Sequence, residues 1–159
     1  MSCRYAIAAL LLAVPAPVLA QVPPPSPAIG ATLMAPGLRV TDLDRAIAFY
    51  RTALGLVEAT RLHHGPLTEV MLSADSPRGP LILILLHDDS PGKALPVTHG
   101  DGLAKIVLRV PDVAAVATRL KAAGHPVEAV HQTAQGPAIL MMSDPDGYRY
   151  ELVGNRPPR

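Results

Sequence analysis

The chain reads as an α+β protein built from two βαβββ modules, and three observations in the sequence predict that architecture. Residues 37–56, GLRVTDLDRAIAFYRTALGL, and 107–127, VLRVPDVAAVATRLKAAGHPV, share Leu-Arg-Val, then Thr or Pro, then Asp, at an offset of 70. In each copy a short alternating stretch runs into a pattern of helical period. After each helical pattern come three strand-like pieces separated by turn residues. A duplicated unit of this kind pairs its sheets and holds a ligand between its halves.

In the first copy, Leu38 and Val40 alternate with Gly37 and Arg39, as a half-buried strand requires. Thr41 or Asp42 can cap the helix that follows, which presents Leu43, Ala46, Ile47, Tyr50 and Leu54 on one face. Gly55 stands where a left-handed C-cap is wanted. Strands are then expected over 56–62 (LVEATRL), 67–73 (LTEVMLS) and 81–87 (LILILLH), punctuated by His64-Gly65-Pro66 and Ser76-Pro77-Arg78-Gly79. In the second copy, Pro111 and Asp112 open a helix whose apolar face is Val113, Val116, Ala117 and Leu120, and Gly124 stops it. Strands follow over 126–131 (PVEAVH), 137–142 (PAILMM) and 148–153 (YRYELV), with turns at Gln135-Gly136 and Asp144-Pro145-Asp146-Gly147. The modules span about 33–88 and 102–154 of a domain covering 31–155, joined by a loop near 88–101.

The first twenty residues read as a signal peptide rather than as part of this domain. Arg4 precedes an apolar run too short to span a bilayer, and Val18-Leu19-Ala20 offers small residues before a cleavage expected after Ala20. Residues 21–30, with VPPPSPAIG, form an extended proline-rich linker. The expectation is therefore an exported protein, periplasmic or extracellular, with no membrane contact once the signal is removed. Removal takes Arg4 and Cys3 with it, leaving 13 basic residues, one fewer than the 14 of the whole chain, against 13 acidic ones and no cysteine. A balanced charge without a basic run excludes nucleic acid as the natural partner.

The βαβββ–βαβββ order, the phrase RVTDLDRAIAFYRTALGL and the closing DPDGYRYEL resemble the vicinal oxygen chelate superfamily. That group includes glyoxalase I, extradiol dioxygenases, fosfomycin-resistance enzymes and bleomycin-binding proteins. The resemblance covers roughly residues 33–154 and implies a curved mixed sheet around a central cleft, the glyoxalase-like fold. It also implies a homodimer as one mode of assembly, since such modules often associate through exposed sheet or helix surfaces.

The repeat itself locates a site. If Leu38 and Val40 face the helices, then Ala35, Gly37 and Arg39 share the concave face, and the same offset gives Lys105, Val107 and Arg109. The closing strands match at an offset of 67, which aligns Ile84 with Glu151 and puts Ile82, Ile84 and Leu86 on the same face as Arg149, Glu151 and Val153. The resemblance implies that metal-using relatives draw their ligands from these four strand positions, commonly His or Gln, Glu, His and Glu. Here the positions read Ala35, Ile84, Lys105 and Glu151, of which Glu151 alone has a ligand's chemistry. No cofactor is expected at such a quartet, and a divalent metal would have to recruit other residues, such as His87 with Glu151.

Lys105 would put an ammonium where the metal's charge would sit, and an ion pair with Glu151 is expected. Arg39, Arg109 and Arg149 add donors for a carboxylate, while Ala35, Ile82, Ile84 and Leu86 form an apolar wall. The expected function is thus binding of a small anionic or amphipathic metabolite or drug. The alternative is a lyase, isomerase or dioxygenase of the glyoxalase type, metal-dependent or with Glu151 as a base. The histidines at 63, 64, 87, 99, 125 and 131 fall at strand ends or in turns without metal-motif spacing. Tyr148 and Tyr150, opposite Glu151, read as packing, and Met141-Met142 as core filler.

Overall fold

In a computed structural model, residues 30–92, 96–132 and 136–155 are described. The signal peptide expected over 1–20 and the linker expected over 21–30 lie, Gly30 apart, outside them. The described residues from Leu33 onward belong to one compact unit. The first module runs β1 (Gly37–Arg39), α1 (Leu43–Leu54), β2 (Val57–His64), β3 (Leu67–Ser73) and β4 (Leu81–Asp88). The second runs β5 (Ile106–Arg109), α2 (Val113–Ala122), β6 (His131–Gln132), β7 (Ala138–Ser143) and β8 (Arg149–Val153).

Capping chemistry sets both helices. The Asp42 carboxylate accepts from the Arg45 N–H at 2.9 Å, and Asp112 accepts from the N–H groups of Ala114 and Ala115, so the acidic residue is the cap in each copy. Thr41 is thereby released for a contact described below. Gly55 closes α1 at φ 69, its N–H bonding the Arg51 carbonyl at 3.0 Å. Gly55→Ala is expected to lower stability by about 1 kcal/mol, read from the urea midpoint, because a Cβ is strained in that backbone region although nothing stands in its way.

The face α2 buries is the expected one. On α1 the fully buried residues are Ala46, Phe49, Tyr50 and Ala53, while Leu43, Ile47 and Leu54 flank them half-buried. The stripe is turned toward Phe49 because α1 meets both the first sheet and the end of the second. Each module makes its own four-stranded sheet, ordered β1-β4-β3-β2 and β5-β8-β7-β6, with the first pair parallel and the others antiparallel. Alternation places Leu38, Val70, Leu72, Leu83 and Leu85 of the first sheet and Leu140, Tyr150 and Leu152 of the second in one core with the helices.

Two expectations need correction. The strand expected over 126–131 is reduced to the two-residue β6, and 125–130 runs without strand pairing. The opening strands start late: β1 begins at Gly37 and β5 at Ile106, so Ala35 and Lys105 precede the pairing rather than sit within it.

Candidate functional site

The outward faces of the two sheets carry the repeat-related positions. Across the first sheet Met71, Ile84 and Gly37 stand in one register row, and across the second Met141, Glu151 and Val107 do. Met71 and Met141, like Gly37 and Val107, are separated by the repeat offset of 70. Met141 is therefore not core filler: it is half-buried beside Glu151, whereas Met142 points into the core. Only register, not composition, separates the two neighbours.

The Lys105 ammonium forms an ion pair with the Glu151 carboxylate. Glu151 is held at 19% side-chain exposure and Lys105 at 44%, so the acid is fixed on the sheet while the base reaches in from the rim. Arg109 donates to the Gly154 carbonyl at 3.3 Å, and Arg149 is exposed on the face of Glu151. On the first sheet Arg39 pairs with Asp88 at 3.4 Å, and Ala35 and Ile84 are half-buried. Of the quartet, Lys105 and Glu151 are in contact, while Ile84 stands in register with Gly37, two residues after Ala35, in a sheet whose strands do not pair with those of the other.

His87 belongs elsewhere. Its register partner is Thr68, on the inward face opposite Ile84, and its Nδ1 contacts the Val40 carbonyl at 2.9 Å while Nε2 meets Asp89 at 3.1 Å. A strand of period 2 cannot present residues 84 and 87 on one side, so His87 is not a companion for Glu151. Among the described residues no group of three or more His, Cys, Asp or Glu is placed to hold a metal ion. Ala35 and Ile84 carry no ligating atom in their side chains, and the Lys105 ammonium is engaged with Glu151.

A second polar cluster escaped the sequence reading. Asp144, 6% exposed, accepts from the Tyr50 hydroxyl at 2.5 Å and from the N–H groups of Asp146 and Tyr148 at 3.0 and 2.8 Å. Tyr50 and Tyr150 share a further hydroxyl bond of 2.7 Å. Burial holds the Asp144 carboxyl above the usual carboxylate range, against the lowering by its donors, and it pushes both tyrosines up as well. Asp146 accepts from the Thr41 N–H and hydroxyl and from Arg45, tying the start of α1 to the β7–β8 turn. The Asp-Pro-Asp-Gly turn therefore binds the two modules together. Its only sequence signal was a pair of acids in a turn, which surface turns also show.

Two βαβββ repeats, each with one parallel pair, β1–β4 and β5–β8, in an otherwise antiparallel sheet, define a duplicated-module protein of the glyoxalase-like α+β class. A family model described as Glyoxalase/Bleomycin resistance protein/Dioxygenase superfamily matches residues 29–152, and the chain belongs to that superfamily. It is 30% identical over 130 residues to a probable lactoylglutathione lyase of Vibrio cholerae, a match covering 75% of this chain and 87% of the relative. Among solved structures it resembles the trypanothione-dependent glyoxalase I of Leishmania major, with TM-score 0.64, 24% identity, and coverage of 79% of this chain and 87% of that one. It also resembles an antibiotic binding protein from Streptomyces sp., with TM-score 0.59, 23% identity, and coverage of 80% and 98%. These structural likenesses establish the fold.

Proposed function

We propose that the chain binds a small anionic or amphipathic molecule on the face that carries Glu151, with the Lys105 ammonium supplying positive charge where metal-using relatives place an ion. The observation that carries this reading is the Lys105–Glu151 pair itself, formed at repeat-related positions whose other two members, Ala35 and Ile84, cannot ligate. Apolar surface from Ile84, Met71 and Met141 suits the ligand's hydrocarbon part, and Lys105 with Arg149 its acid. Because the two half-sites lie on separate sheets, a second copy of the chain would set the first sheet of one protomer over the second sheet of its partner and enclose the ligand. Export to the periplasm or beyond, through the leader read at 1–20, belongs to the same proposal.

A second reading is supported by the relatives named lactoylglutathione lyase. In it Glu151 acts as a base on a small substrate, with its carboxylate oriented by the ion pair to Lys105.

The test is a thermal-shift series on the purified chain with divalent ions, a chelator and small carboxylates such as phenylacetate. Carboxylate at ten times its Kd is expected to raise the Tm by roughly 4 °C, with no response to chelator. Stoichiometric metal that survives dialysis and disappears in Glu151→Ala would overturn the metal-free reading. Turnover of a thiohemiacetal by the metal-free protein, abolished in Glu151→Gln, would establish the second.

A further inference from the structure

The repeat is broken at one place. β2 pairs with β3 from Val57↔Ser73 to His64↔Leu67, whereas β6 meets β7 only at His131↔Ile139 and Gln132↔Ala138. Yet the unpaired stretch copies the paired one: Val57-Glu58-Ala59 returns as Val127-Glu128-Ala129, and the partners Leu72-Ser73 return as Met142-Ser143. Adding the offset of 70 to Val57↔Ser73 and Glu58↔Leu72 places Val127 opposite Ser143 and Glu128 opposite Met142. Stepping back from His131↔Ile139 one residue at a time arrives at the same two pairs. The two routes meet when the segment is extended straight from β6, without the bulge that β2 carries between Glu58 and Thr60; the β2–β3 pairs on the other side of that bulge, moved by 70, run one residue out of step with His131↔Ile139.

The β7 edge is open to receive this segment. The Asp144 N–H bonds the Tyr148 carbonyl at 3.0 Å, so even-numbered residues of β7 face β8. Met141 and Ser143 therefore aim their backbone groups at the other edge, where no described residue pairs with them. Between that edge and the segment lies a cavity of about 590 Å³, walled by Phe49, Val127 and Met142, with Arg45 and Glu128 among its charged members. His125 explains the gap. Its N–H bonds the Leu120 carbonyl at 2.9 Å and its ring meets Phe49 edge-on at 4.9 Å, so the chain leaves α2 held over α1 rather than over β7.

We propose that residues 127–130 are a strap that closes onto the free edge of β7, lengthening β6 to the extent of β2. Closing satisfies the backbone groups of Met141 and Ser143, which an open edge leaves to water. It turns Glu128 into the cavity toward Arg45. It also sets Ala129 beside Met141, widening the face that carries Glu151, so the strap forms a movable rim of that face.

Engineered thiols test it, in a Cys3→Ser background that removes the sole native cysteine. Glu128→Cys with Met142→Cys occupies a non-hydrogen-bonded cross-strand pair, whose spacing suits a disulfide. Ala129→Cys with Met142→Cys, slipped by one residue, points its thiols to opposite faces. Under mild oxidation the first pair is expected to cross-link within the chain about tenfold faster than the second, and His125→Ala, which frees the strap, to speed it further. Equal rates, or no cross-link in either, overturn the strap. Should the Met142 variants fail to fold, amide exchange decides: slower exchange at Met141 and Ser143 in His125→Ala supports closure, and unchanged exchange overturns it.

Discussion

Asp144→Ala is expected to lower stability by about 3 kcal/mol and the Tm by roughly 10 °C, the largest loss for any single polar side chain in the fold. The carboxylate is buried and accepts three hydrogen bonds, one from Tyr50 on α1 and two from the backbone of its own turn. Alanine leaves two N–H groups, and one hydroxyl of the Tyr50–Tyr150 pair, without an acceptor in a place water hardly reaches. Asp144→Asn keeps an acceptor for the backbone donors and is expected to cost about 1 kcal/mol.

The same pair of variants carries a pH signature. The folded-state pKa of Asp144 is raised above the ordinary 3.8, chiefly by burial. Across the window between 3.8 and that raised value the native state binds more protons than the unfolded chain. The stability contributed by the protonated form is fully present below 3.8 and is lost as pH rises through the folded value. Glu58 works in the opposite sense: Arg61 lowers its pKa, so its smaller, solvent-screened contribution is lost as pH falls. Asp144→Asn cannot ionise and retains the Glu58 effect. Subtracting its urea midpoints from those of the unmodified chain, pH by pH, should therefore leave a difference that declines toward neutral pH. A flat difference would mean that Asp144 is not titrating in the folded state.

The βαβββ duplication was legible because it rests on local signals that tertiary packing did not override. The acids before each helix, the glycines after it and strands of period 2 all act within a few residues. The inward and outward faces of β4 and β8 follow from alternation alone, which is why the sequence already pairs Lys105 with Glu151. What alternation cannot supply is the relation between sheets: Ile84 belongs to the first and Glu151 to the second. The strand expected over 126–131 proved too long for a different reason. Val127-Glu128-Ala129 has the same local preference as its paired twin in β2, and a tertiary contact, His125 on Phe49, decides against pairing. Asp144 and Asp146 were invisible because a turn sequence does not reveal that a helix hydroxyl and a guanidinium will close over it.

Lys105→Ala is expected to weaken binding of a small carboxylate by about 100-fold while moving the Tm by less than about 2 °C. Two effects add in binding. The variant removes a cation from the face on which the anion would sit, a charge-assisted contact on the order of tenfold in affinity. It also strips Glu151 of its partner and leaves a carboxylate, only 19% exposed, to repel the incoming acid by roughly as much again. Stability is nearly indifferent, since Lys105 is 44% exposed and solvent screens the pair. The double variant Lys105→Ala/Glu151→Gln separates the two effects: neutralising the orphaned acid should restore about tenfold of the lost affinity, leaving only the missing ammonium. Calorimetric titration of phenylacetate into the four proteins of this cycle reads the coupling directly. If Lys105→Ala binds as tightly as the parent, the pair is a surface salt bridge and the anion is recognised elsewhere. A Lys105→Ala protein that instead gains affinity for divalent ions would show that the lysine's role is to keep a metal out.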